Sequence, residues 1–370
     1  MTLLLPFLPL YVQQLGVSDQ AAIVQWSGIA YAATFVSAAM AAPFWGRLGD
    51  RYGRKLMLLR ASLGMAIALP LIGVVQNIEQ LIVLRLLLGF LGGYNSGSAT
   101  LVAAQSPRLR SGWALGVLTS GIMAGSLAGP LIGGVLPVFV GMRMTFILAG
   151  VAVFIIFLAT VLLIREERRP PKATTANQTD QQLGVLGKKP VVAMLFTGML
   201  LMLATMSIEP IITVYVIQFV DAAHVTSVAG VVMSAAALGS IISSSYLGKL
   251  ADEVGHSRVI IGCFAASALL LIPQAFVTSA WQLVVLRFLM GVALGGLLPC
   301  IATVIRHNVP DNAAGKIMGY SISAQFVGQV VGPVTGGFVA GHVGMSAVFL
   351  ATAALMAGGA LGNFILFRKR

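Results

Sequence analysis

Of the eleven acidic residues in this 370-residue chain, only Glu209 lies well inside a long apolar run, Leu200 to Val220. Apolar surroundings disfavour the charged form of a carboxyl group, so such an acid holds a proton far more readily than one in water. That makes Glu209 a candidate proton carrier. Pro210 follows it directly, and a proline interrupts the helical ladder and frees carbonyls for a wet cavity. The plainer reading is a neutral acid bonded to backbone, or one near the mouth of a span. Arg85 and Arg287 also fall within apolar runs, where an arginine costs at least about 2.5 kcal/mol at mid-membrane. Each must face a partner or a cavity, or sit close enough to the interface to snorkel.

A second group is the stretch from Gly46 to Lys55, which holds Asp50 among Arg47, Arg51, Arg54 and Lys55, with glycines at 46, 49 and 53. Glycines permit a tight turn between helices, and a lone acid there needs helix N-termini or an arginine beside it. The bland alternative is a basic loop that only sets topology. A third group is Gly121, Gly125, Gly129 and Gly133, one glycine every four residues beside Pro130 and Gly134. Small residues at that spacing let helix backbones approach closely. The expected partner of this stripe is Ser234–Ser240, and Gly328, Gly332 and Gly336 are expected to meet Ser27, Gly28, Ala32, Ala33 and Ser37.

The elements that position these groups follow from composition. Lys and Arg number 23 and Asp and Glu 11, only 9% charged, while 58% of residues are hydrophobic. Mean hydropathy is +0.94. A soluble domain carries about 25% charge, so this reads as an all-α polytopic membrane protein. Runs of about 20 apolar residues occur near 22–44, 56–75, 80–103, 113–137, 143–164, 190–217, 226–247, 258–277, 280–305, 317–341 and 345–367. Those are eleven spans, preceded by a half-length apolar segment from Thr2 to Val12. Alternating the breaks places 20 of the 23 basic residues on one side, leaving Arg143 on the other and Arg85 and Arg287 within spans. The basic side is therefore expected to be cytoplasmic, which also explains the net charge of +12 without nucleic acid. Residues 165–189 are charged and rich in Gln and Thr, and read as a linker between a bundle at 1–164 and another at 190–370.

The two bundles repeat one another. Gly46–Gly53 recurs as Gly248–Gly255 with Asp50 matched by Asp252, and Leu84–Gly89 recurs as Leu286–Gly291, both at an offset of 202. Gly125–Gly134 recurs as Gly328–Gly337 at 203, with Gly129 and Pro130 matched by Gly332 and Pro333, and Pro6 matches Pro210 at 204. Such internal repeats mark transporters that bind at the repeat interface. In the second copy His256 and Ser257 replace Arg54 and Lys55, which predicts a weaker loop.

On these residues the whole chain resembles the major facilitator superfamily. Gly46–Lys55 is similar to its loop 2–3 signature, Arg85 with Gly89 and Gly93 to its fourth-span arginine motif, and Gly125–Gly134 to the fifth-span Gly-Pro motif of its drug:proton antiporters. The resemblance implies two pseudo-symmetric six-helix bundles around a central cavity that opens alternately to either side. It further implies that Glu209 and Arg85 couple transport to protons, and that Gly46, Asp50, Arg51, Gly53, Arg54 and Asp252 gate the cytoplasmic side. Within the superfamily the chain is most similar to twelve-span bacterial multidrug efflux proteins. The expected function is proton-coupled export of amphipathic small molecules across the bacterial inner membrane by a monomer, with linker and C-terminus cytoplasmic. The alternative is a more selective sugar or metabolite facilitator on the same fold.

Candidate cavity residues are Trp26, Tyr31, Tyr94, Asn95, Met123, Met206, Tyr215, Gln325 and Phe326, since aromatics and methionines suit adaptable binding. Each taken singly is as well explained by packing. No nucleophile triad, zinc motif or phosphate-binding loop stands in the sequence, and neither an enzyme, a metal nor a cofactor is expected. From the repeat, span 7 begins about 20 residues before Pro210 whereas Pro6 has five residues before it. The first helix is therefore expected to be incomplete, its start lying upstream of Met1.

Overall fold

The computed structural model describes residues 5–106, 110–164 and 189–368, without the side chains of Asp50 and nine other residues. The linker expected at 165–189 lies almost wholly outside them. Helices account for the fold: α1 Leu8–Gln14 after a 3-10 turn, α2 Gln20–Tyr52, α3 Arg54–Gly73, α4 Ile78–Leu91, α5 Tyr94–Gln105 and α6 Ser111–Leu163. They continue as α7 Lys189–Val216, α8 Val225–Val254, α9 His256–Gln274, α10 Ala280–Leu294, α11 Leu297–Asn308, α12 Asp311–His342 and α13 Met345–Arg368. Among the described residues, eight stretches are both long and apolar enough to cross a membrane, and the chain is a multi-pass membrane protein.

Two expected spans are broken. Residues 80–103 divide into α4 and α5 at Gly92 and Gly93, and 280–305 divide into α10 and α11 at Gly295 and Gly296. Conversely 113–137 and 143–164 form one element, α6, bent at Gly141, whose φ of +79° only glycine adopts easily. Local chemistry repeats with the sequence. Asn77 caps α4 by accepting from the Gln80 amide at 2.9 Å, while Gln80 accepts from the Gln76 amide. Gln282 accepts from the Thr278 amide at 3.0 Å in the second copy. Gly53 and Gly255, with φ of +106° and +102°, turn α2 into α3 and α8 into α9.

The tertiary packing repeats as well. Tyr11 donates to the Ile72 carbonyl at 2.5 Å and its ring lies 4.9 Å from Phe146. Tyr215 donates to the Gln274 carbonyl at 3.0 Å with its ring 5.1 Å from Phe349. Short α1 thus matches the last turns of α7, as Pro6 and Pro210 foretold. Within each half α2 packs on α4 and α8 on α10, while α3 packs on α6 and α9 on α13. Across the halves α2 lies along α12, and α6 along α8. With α4–α5 and α10–α11 each counted as one broken span and α6 as two, successive spans alternate in direction, so Arg47, Arg51, Lys189, Lys249, Arg306 and Arg368 share one end of the molecule, called the basic end below.

Candidate functional site

Glu209 lies half-buried on α7, within coulombic reach of Arg287 on α10 and of Tyr31 on α2. Tyr31 is fully buried, and the Arg85 guanidinium on α4 lies 5.9 Å from its ring centre. The carboxyl group therefore faces the buried Arg287 of its own half and Tyr31 of the other, and Tyr31 in turn neighbours the buried Arg85. Arg85 starts two turns into α4, is 4% exposed, and donates from Nε to the Ala30 carbonyl at 3.2 Å. It turns into the bundle and does not snorkel. Arg85 Nη2, Arg287 Nε and Nη2, Tyr31 Oη and Thr34 Oγ1 are buried with no hydrogen-bond partner. Buried polar atoms left unpaired are costly, so this cluster holds unused capacity for a proton, water or ligand. At the repeat offset of 204 the counterpart of Glu209 is Leu5.

The halves touch at the end opposite the basic residues, through a contact that occurs twice. A Cβ on Gly28 of α2 would strike the Pro333 carbonyl of α12, and a Cβ on Gly230 of α8 would strike the Pro130 carbonyl of α6. Gly337 sits over the Val24 carbonyl, and Gly134 over that of Thr226. Each pair maps onto the other at offsets of 202 and 203. Ser234 donates to the Leu127 carbonyl at 2.8 Å and Ser227 to that of Gly134 at 3.4 Å. Thr213 of α7 donates to the Pro6 carbonyl.

This corrects the expected partners of the glycine stripes. The α6 stripe meets Thr226–Ser234, so of the expected Ser234–Ser240 segment Ser234 is the residue in contact, and the rest of the contact lies up to two turns nearer the opposite end. Gly328, Gly332 and Gly336 do not meet α2; they seat α12 on α7 at Met199, Leu203 and Ser207. Ser37 and Thr34 of α2 instead pack on Gly89 of α4. Of the first stripe, Gly129, Pro130 and Gly133 are buried, whereas a Cβ on Gly125 would meet nothing.

Toward the basic end the same four helices present matched open positions. Met40 and its counterpart Ile242 are 76% and 60% exposed, and a Cβ on Gly116 or its counterpart Gly319 would meet nothing within 4 Å. The basic loop lies at this open end. Gly46 is unobstructed, Arg51 lies 5.3 Å from the Tyr52 ring, and Gly53 supplies the turn. Gly49 backs onto Met57 and Arg54. The Asp50 side chain is outside the described residues. Its counterpart Asp252 is 75% exposed and 3.5 Å from His256.

The cavity candidates do not converge. Tyr215 belongs to the core of the second half, and Tyr94 is bonded to Thr160 of α6 at 3.1 Å. Met206 packs on Gly332, Gln325 lies against Gly198 and Ser321, and Trp26 and Asn95 are exposed. Met123 and Phe326 are half-buried. Tyr31 alone joins the charged cluster. Sequence reasoning missed Arg60, which stacks 3.6 Å over Trp45 and donates to the Gly92 carbonyl at 2.8 Å, capping α4 at its break. Its repeat counterpart, Gly262, gives no hint of that role.

The Major Facilitator Superfamily model matches residues 1–233 and 220–370. The chain belongs to the Major Facilitator Superfamily. Among superfamily relatives, the multidrug resistance protein MdtG of Proteus mirabilis is 42% identical over 369 residues, 99% of this chain and 92% of that protein. MdtG of Salmonella typhimurium is 41% identical over 371 residues, covering 100% and 92%. The superfamily fold is shared with the crystal structure of the nucleoside transporter NupG, at a TM-score of 0.78 and 16% identity over 100% of this chain and 95% of that one. A bacterial homologue of the lysosomal transporter Spinster, in an inward-facing and unoccupied conformation, aligns at 0.76 and 14% over 99% and 93%.

Proposed function

We propose that this chain exports amphipathic small molecules across the bacterial inner membrane by alternating access, exchanging them for protons at Glu209. The observation that carries the reading is the twofold Gly–Pro contact. It closes one end while matched positions on the same helices stand open at the other, as a rocking carrier requires. Full-length relatives named multidrug resistance proteins support the substrate class, and the selective sugar or metabolite alternative is not favoured. The excess of basic residues at the open end makes that end cytoplasmic by the positive-inside rule. In this reading substrate enters from the cytoplasm, and Glu209 takes up a proton when the other end opens. Neutral Glu209 no longer holds Arg287 within the second half, and loss of its charge beside Tyr31 of the first half frees the halves to rock back. The chain works as a monomer.

The test is accumulation of a fluorescent cationic dye in cells or proteoliposomes. Cells expressing the protein should hold less dye than controls, and collapse of the proton gradient should abolish the difference. Equal dye content with and without the protein would sink the proposal.

Asp50 tests the gate separately. Asp50→Asn removes the one acid of the basic loop, so transport should fall about tenfold or more while the protein inserts normally. That corresponds to about 1.4 kcal/mol lost from the state in which the basic end is closed. Wild-type export by the variant would reduce the loop to a topology signal.

A further inference from the structure

We propose that a pocket at the basic end of the second half binds the phosphodiester headgroup of an anionic phospholipid. The pocket, about 640 Å³, lies between the first turn of α9 and the last turns of α11 and α13. Its polar wall is His256, Ser257 and Arg258 from α9, His307 and Asn308 from α11 and Arg368 from α13. No carboxylate lines it among the described residues. The His256 and His307 rings are 6.0 Å apart, and Arg368 lies 5.7 Å from the Phe364 ring. Asp252 is 3.5 Å from His256, its own side chain 75% exposed. On the membrane side the wall turns apolar with Ile261, Phe364 and Phe367. A cationic rim above an aromatic floor, at the depth where three helices leave the bilayer, matches a phosphate with acyl chains below it.

The repeat shows how the first half differs at the equivalent place. In the first half Lys55 reaches across and donates from Nζ to the Val161 carbonyl of α6 at 2.9 Å. Val161 corresponds to Phe364 at an offset of 203, and Lys55 to Ser257 at 202. The first half therefore fills the crevice with its own side chain. Ser257 is three atoms shorter and leaves the space to a ligand. The pocket lies away from α2, α6 and α12, so the inference is independent of Glu209 and of the transport reading.

The experiment is native mass spectrometry of the purified full chain with dioleoyl phosphatidylglycerol, dioleoyl phosphatidylcholine or inorganic phosphate. The wild type should retain phosphatidylglycerol about tenfold more tightly than phosphatidylcholine, and phosphate should not displace it. Ser257→Lys should weaken retention about tenfold by refilling the crevice, although it adds a positive charge that would strengthen any diffuse attraction. Arg258→Gln should weaken it similarly, and serves if Ser257→Lys fails to fold in a thermal unfolding control. Unchanged or tighter phosphatidylglycerol binding by the variants would overturn the proposal, as would equal retention of the two lipids. Displacement by inorganic phosphate would make the pocket a free-anion site and refute the lipid.

Discussion

Glu209→Gln should collapse uphill export while leaving a folded protein that exchanges substrate down its gradient. Glutamine keeps the size and hydrogen-bonding reach of the side chain but cannot titrate. One proton moved through about 100 mV corresponds to about 2.3 kcal/mol, close to fiftyfold in concentration ratio. The variant should forfeit a gradient of that order, and its exchange rate should lose the pH dependence of the wild type. Direct measurement in proteoliposomes with an imposed pH gradient separates the two activities. The single-acid arrangement raises the stakes: Leu5 stands at the repeat-equivalent position, and no second carboxyl group of the repeat can take over beside Arg287. Variant exchange that retained the wild-type pH profile would remove Glu209 from the mechanism.

A comparable loss is expected from filling the Gly–Pro contacts. At Gly28 and Gly230 the first added carbon meets a backbone carbonyl across the interface, and backbone cannot step aside as a flexible side chain can. Overpacking of this kind costs about 1–3 kcal/mol per site. Gly28→Leu combined with Gly230→Leu should therefore move the equilibrium between the two conformations by about a hundredfold or more, holding the sealed end open and stopping turnover. Hydrogen exchange should rise in residues 20–30 and 225–235 together, because the pair acts at matched places. The same substitution at Gly116 and Gly319, where nothing lies within 4 Å, should leave exchange in those segments unchanged. Equal effects at the two pairs would show that bulk alone, not contact across the halves, is responsible.

Much of this architecture is legible in the residues. Eleven apolar runs, the offsets of 202 to 204 and the glycine turns at 53 and 255 locate the helices and pair them across the repeat. The breaks at Gly92–Gly93 and Gly295–Gly296 are harder to see, because apolar composition continues across them and a hydropathy window reads straight through. Stripe partners are harder still. Gly328, Gly332 and Gly336 announce close contact but carry no direction, and the neighbour proved to be α7 and not α2. Cavity residues are the least legible. A membrane helix is apolar all round, so the contrast between a wet and a dry face that marks a soluble amphipathic helix is largely absent. Tyr215 and Tyr31 look alike in sequence; one hydroxyl bonds a carbonyl inside its own half and the other is left unpartnered beside Arg85. Glu209 could be singled out because a carboxyl group in an apolar run needs no structure to stand apart.

The position of the Gly–Pro contacts has a mechanical consequence. α2 runs 33 residues from Gln20 to Tyr52, and its tight contact with α12 is at Gly28, close to one end. From that fulcrum to Tyr52 the helix extends about 36 Å at about 1.5 Å per residue. Tyr11 and Tyr215 brace each half against bending near the short side of the lever. A tilt of about 10° about the fulcrum therefore swings the far tip by about 6 Å on that arm, while the glycine and proline backbones slip by little more than 1 Å. Short travel at a smooth bearing becomes a wide mouth at the other end, and four glycines without side chains keep that bearing free to turn.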